Sequence, residues 1–134
     1  MEVQEVSRRK KFASWVLTIF QLIFGLMHLN PSLAYRIGST STTYIVQYIN
    51  NLGPYWVIVF LATGLFTAFT LVRRERWTWA GHLVSGAVLG GYTAALYVGA
   101  LADVPHGPLT YPTMALVITS FHVMLMHYFY GGDR

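Results

Sequence analysis

The sequence predicts an all-α fold: four transmembrane helices in an antiparallel bundle, with a short interfacial helix in the first outer loop. Three observations carry this. Charged residues make up only 10% of the chain against 54% hydrophobic, whereas a soluble domain carries roughly 25% charged residues. The charges are clustered: apart from Arg36 and Asp103, they fall in residues 1–11, 73–76 and 133–134. Between the clusters lie four charge-free segments, 12–30, 54–72, 77–101 and 109–130, each close to the ~20 residues that cross a ~30 Å hydrocarbon core. A soluble four-helix bundle would need a polar face on every helix, and these segments have none.

The elements follow in order. Residues 1–11 read as a short basic cytoplasmic tail, and the transmembrane domain as 12–130. Span one stops at Asn30-Pro31, because proline cannot continue the helix. Ser32-Leu33-Ala34 has the look of a cleavage site, but the apolar run before it exceeds the ~7–15 residues of a signal core, which predicts a retained anchor. The outer loop, 31–53, is the longest connection. Ile45, Tyr48, Ile49 and Leu52 are at helical spacing after a Ser/Thr run that can cap a helix. Tyr44, Val46 and Tyr48 also alternate as in a strand, but an isolated strand leaves its edges unpaired near lipid. An interfacial helix is therefore expected there. Gly53-Pro54 opens span two, with proline where its missing donor is harmless. The tight turn "LVRRERW" makes spans two and three antiparallel neighbours. "ADVPHGP" is a compact outer turn. Span four ends at Gly131-Gly132, a C-cap pair, leaving 131–134 as a C-terminal tail.

Orientation follows from the basic residues. Arg8, Arg9, Lys10 and Lys11 precede span one; Arg73, Arg74 and Arg76 join spans two and three; Arg134 ends the sequence. Positive residues stay inside, so both termini are expected on the cytoplasmic side of a cytoplasmic membrane. Trp15, Trp77, Trp79, Tyr128 and Tyr130 mark the inner interface; Tyr55, Trp56 and Tyr111 mark the outer one. The net charge of +4 then reads as a topology signal and as attraction to anionic lipid. The expected partner is the lipid bilayer, and no nucleic acid is expected. There is no cysteine, so disulfides, thiolate ligands and thiol catalysis are excluded.

Span three carries two ridges of small residues: Gly86, Gly90 and Ala94 on one, Ala87, Gly91, Ala95 and Gly99 on the other. Glycine costs a helix in water about 1 kcal/mol relative to alanine. In lipid, small residues let backbones approach closely, and that contact offsets the lost propensity. Two uses are open: packing within the chain against span two or four, or a face for self-assembly.

No charged residue lies inside a span, although pumps and ion-coupled transporters usually keep one there. Paired carboxylates, a phosphate loop and an HExxH motif are absent, so the residues do not point to an enzyme, and no metal or cofactor is expected. The histidines are the exception to weigh. His82 lies at a depth compatible with His122 or His127, which are five apart and point in different directions. They read either as polar contacts between helices or as haem ligands. His28 and His106 lie toward the outer side. Gln21, Thr63, Thr67 and Thr70 would line a narrow polar path if copies assembled; Thr and Ser hydroxyls, including those of Thr119 and Ser120, alternatively bond back to their own helix. Tyr92 and Tyr97 read as outer-leaflet packing residues.

At "LADVPHGPLTYPTMALVITSFH" and "NNLGPYWVIVFLATGL" the chain resembles the small four-span membrane proteins of actinobacterial phages, some of them holin-like proteins of lysis cassettes. The resemblance lies in the layout: short basic N-terminus, outer Gly-Pro turns and Arg-rich inner turn. It implies a homo-oligomer that opens a lesion in the membrane. A fainter similarity, to small four-helix membrane proteins of the DoxX type, implies redox or envelope maintenance. The competing expectation is a module that binds another membrane protein, such as a phage exclusion protein or a small subunit of a membrane complex.

Overall fold

A computed structural model describes residues 2–30, 44–102 and 109–131. In chain order they form α1 (Glu2–Met27), α2 (Tyr44–Leu52), α3 (Tyr55–Arg73), a 3-10 turn (Glu75–Trp77), α4 (Thr78–Ala102) and α5 (Thr110–Gly131). Four of these helices are long and apolar enough to cross a membrane, and no strand occurs among the described residues. Arg36, the cleavage-like Ser32-Leu33-Ala34, the turn holding Asp103 and His106, and residues 132–134 lie outside the described residues.

The last three spans fall within one residue of their predicted limits. The first does not. Residues 1–11 were expected as a charged tail, but α1 already begins at Glu2. Its first turns are rich in Glu, Gln, Arg and Lys, all good helix formers. At its other end α1 stops at Met27. His28, Leu29 and Asn30 instead donate to the carbonyls three residues back, at 3.2, 3.0 and 3.2 Å. This tightened turn precedes Pro31, which disfavours α geometry in the residue before it.

Polarity inside the bundle is inverted relative to a soluble protein. Among the described residues, the buried side chains include more polar ones than apolar ones: Ser14, Thr18, Gln21, Thr63, Thr67, Thr70, Thr78, His82, Ser85, Thr93 and His122 all face inward. The exterior is Ile23, Leu65, Phe69, Val98, Met114 and similar residues, most of them about half exposed or more. Water would penalise that exterior; lipid does not. The fold is therefore that of a polytopic helical membrane protein. Below, "basic end" denotes the end where α1 begins and α5 finishes, beside Arg73–Arg76; "loop end" denotes the opposite one.

Each helix turns one face inward. α1 contributes Ser14, Thr18, Gln21, Gly25 and His28; α3 contributes Phe60, Thr63, Gly64, Thr67 and Thr70. α4 is the most buried span and packs against both α3 and α5. α3 and α4 approach closely at Gly81, where an added methyl would meet the Thr67 Cα at 3.0 Å and the Thr67 and Thr70 hydroxyls at 3.0 Å. Gly64 accommodates Leu22 of α1 in the same way.

The two ridges of span three do not survive as continuous surfaces. Gly86 is buried against α5 and Gly90 faces it, with an added methyl meeting His122 Cβ at 3.5 Å and Thr119 Cγ2 at 3.8 Å, respectively. Ala94, however, is exposed. Ala87 and Gly91 are exposed, Ala95 is half-buried and Gly99 is buried. The reason is geometric. A step of four residues overshoots a turn by about 40°, so one row rotates from the interior to lipid while the other rotates from lipid inward. The outward small-residue stripe that results is Ala87, Gly91 and Ala94.

The helix expected between spans one and two is present as α2; the residue it buries in the bundle is Val46, outside the Ile45, Tyr48, Ile49 and Leu52 set. Val46 is fully buried, while Tyr48 and Leu52 are exposed. Val46 joins Phe60, Leu89, Tyr92, Leu96 and Ala115 in the apolar core. The Trp56 indole N–H donates to the Val46 carbonyl at 3.1 Å. Trp56→Phe keeps an aromatic ring but loses that bond, worth about 1 kcal/mol, so amide exchange in α2 should quicken roughly fivefold, more than in the four spans.

Candidate functional site

The inward polar residues form a seam along the bundle axis. At the basic end Ser14 Oγ of α1 is hydrogen-bonded to His82 Nε2 of α4. His82 Nδ1 lies 3.0 Å from His122 Nδ1 of α5. All three side chains are fully buried, and the ring of Phe129 stacks near His82 at 5.9 Å. The chain Ser14–His82–His122 thus ties three helices together. Midway along, Thr67 Oγ1 and Ser85 Oγ lie 3.0 Å apart across α3 and α4. Gln21 of α1 donates to the Thr63 hydroxyl of α3. Toward the loop end the seam meets aromatic rings: Phe24, Phe60, Trp56 and Tyr92 pack edge-on or stacked, with centroids 5.0–5.8 Å apart, and His28 sits against them.

Most of the hydroxyls also bond back to their own helix: Thr18 to the Ser14 carbonyl, Thr63 to Val59, Thr67 to Thr63, Thr70 to Thr67 and Thr93 to Leu89, all between 2.7 and 2.9 Å. Three buried polar atoms of the seam make no hydrogen bond among the described residues: Gln21 Oε1, Thr78 Oγ1 and His122 Nε2. A buried polar group without a partner costs about 1–3 kcal/mol. The interior is therefore apt for a polar visitor, whether water or a second chain.

Of the residues singled out from sequence, Gln21, Thr63, Thr67 and Thr70 are brought onto this one seam, inside a single bundle rather than on an outer surface awaiting copies. His82 and His122 meet; His127 is exposed on the other side of α5. Thr119 bonds back to Ala115 and lies 3.3 Å from Thr93, whereas Ser120 is exposed. Tyr92 is buried in the aromatic group, and Tyr97 reaches Thr113 at 3.3 Å. The sequence reading passed over Ser14, Thr18, Thr78 and Ser85. The spacing of Ser14, Thr18 and Gln21, four then three residues apart, was the available signal.

Two chemistries can be tested against this geometry. Metal–imidazole bonds are about 2.0–2.1 Å, so two axial imidazoles across one iron place their nitrogens about 4 Å apart. The His82 and His122 Nδ1 atoms are 3.0 Å apart, a hydrogen-bond distance that leaves no room for haem iron between them. Ser14–His82–His122 also has the connectivity of a nucleophile, a base and an orienting group. All three, however, lie within helices, where backbone N–H groups are consumed by carbonyls four residues back. The helical backbone beside Ser14 therefore offers no pair of free N–H donors to hold an oxyanion.

These features define a multi-pass helical membrane protein with a polar interior. Comparison with protein-family models, curated proteins and solved structures gave no match.

Proposed function

We propose that the chain assembles with copies of itself in the cytoplasmic membrane, basic end inward, and changes the permeability of that membrane in the manner of a holin. One observation carries the reading. A bundle with an apolar exterior encloses a seam of Ser, Thr, Gln and His, three of whose buried atoms have no hydrogen-bond partner among the described residues. A seam of that kind lines a water-filled lesion once helices of neighbouring copies exchange partners, and the unpaired atoms then gain water. The outward stripe of Ala87, Gly91 and Ala94 offers a second copy the smooth surface on which helices associate in lipid. The layout similarity to four-span phage proteins points the same way, and the positive-inside rule sets the orientation.

The same stripe fits a different membrane protein equally well, which keeps a partner-binding module as the second reading. Inducible expression with a membrane-potential dye separates the two. Prompt depolarisation supports the lesion. Stable cells containing membrane-inserted protein and a stoichiometric co-purifying partner overturn it in favour of the module. Gly91→Leu should delay or abolish depolarisation without unfolding the bundle, because no atom lies within 4 Å of the position where a side chain would start.

A further inference from the structure

The His82–His122 contact has a property that the proposed lesion does not require. Only one hydrogen fits between two nitrogens 3.0 Å apart, so one Nδ1 donates and the other accepts. Two neutral arrangements satisfy this. In one, His82 donates to His122 and its Nε2 accepts from the Ser14 hydroxyl. In the other, His122 donates, and His82 Nε2–H donates to Ser14 Oγ. A hydroxyl serves either arrangement because it both donates and accepts. In the second, His122 Nε2 carries a bare lone pair, fully buried and with no donor among the described residues to meet it.

We propose that the His82–His122 pair is a proton-binding site that latches α4 and α5 together while neutral and releases them on taking up a proton. The proton comes from water and settles on His122 Nε2, turning the pair into a cation. Among the described residues, nothing in the surroundings balances that charge. From α1 the pair meets Ser14; Lys11, farther along, is held by Glu75 at 2.8 Å, and Lys10 lies over the Tyr128 ring. From α3 the nearest inward group is the Thr70 hydroxyl, and Arg73 is exposed; Glu75 and Arg76 of the 3-10 turn are exposed as well. From α5 come Phe129, with His127 and Tyr128 exposed and Tyr130 against Trp79. A buried charge without a counter-ion is unfavourable, and the seam must part to admit water. The closed form therefore belongs to higher pH and the open form to lower pH. The link from opening to assembly rests on the self-association proposed above.

The absence of cysteine makes the test direct. A Leu83→Cys, Phe121→Cys chain carries nitroxide labels on the exposed faces of α4 and α5 and is reconstituted in phosphatidylcholine vesicles filled with a self-quenched dye. Taking the pH from about 8 to about 4 passes below the range in which an exposed imidazole changes charge, as a buried pair without a counter-ion requires. The interlabel distance should lengthen reversibly and dye release should rise. Adding His122→Gln or His82→Gln should abolish the acid response, while His127→Gln, on an exposed face, should leave it intact. A distance that ignores pH, or an acid response that persists in both His122→Gln and His82→Gln, overturns the latch. Leakage independent of pH overturns the latch and leaves the lesion standing; a pH-driven distance change without leakage at any pH overturns the lesion and leaves the latch.

Discussion

Gly81→Ala should lower the stability of the bundle by about 1–3 kcal/mol, the usual cost of overpacking a close contact. At most other exposed or loosely packed helix positions the same change is favourable, because alanine is the better helix former by about 1 kcal/mol. Here the new methyl lies 3.0 Å from the Thr67 Cα and from two hydroxyls. The first of these is backbone and cannot rotate away, so α3 and α4 must separate. Separation also strains the Thr67–Ser85 contact one turn further on. A denaturation series in mixed detergent micelles measures the shift. Gly91→Ala is the internal control: with open space around it, it should be neutral or slightly stabilising. Equal losses at both positions would show that the Gly81 notch does not set the helix separation.

His82→Phe should cost about 2–3 kcal/mol, measured the same way. Hydrogen bonds between helices in a membrane average about 0.6 kcal/mol and reach about 1.7, and this change removes two. It also strands the Ser14 hydroxyl and His122 Nδ1 in the interior, and stranded groups carry their own penalty. His127→Phe, on an exposed face, should stay within about 0.5 kcal/mol of the parent. A cycle with His122→Phe then tests the pairing. The double variant should be less damaged than the sum of the singles, with a coupling of at least about 0.5 kcal/mol.

Charge exclusion and span length made the four helices legible from sequence, since both follow from the energetics of a hydrocarbon layer. The start of α1 was missed because basic residues mark a membrane boundary without ending a helix. Helix facing was legible in principle but with the sign reversed. Ser14, Thr18, Gln21, Gly25 and His28 on α1, and Thr78, His82, Ser85, Leu89, Tyr92 and Leu96 on α4, repeat at alternating steps of four and three, the seam of a left-handed bundle. In lipid the polar and small residues mark that seam, whereas the long apolar residues point away. Gly86 and Gly90 face α5, whereas Ala94 does not, because a four-residue step rotates around the helix rather than running straight down it. The meeting of His82 with His122 rather than His127 was only half legible. Periodicity separates the two α5 histidines, but the rotation of α5 that selects one of them is fixed by packing against Gly86 and Gly90.

The inverted interior also constrains how the chain enters a bilayer during synthesis. α4 carries His82, Ser85 and Thr93 on one flank, and none of these finds its interhelical partner until another helix is alongside. α3 presents Thr63 and Thr67 to that flank and is joined to α4 by a single 3-10 turn. Partitioning from the translocon as a pre-formed hairpin lets the two segments shield each other's hydroxyls, so lengthening the Arg74–Trp77 connection should impair biogenesis more than it impairs the finished protein.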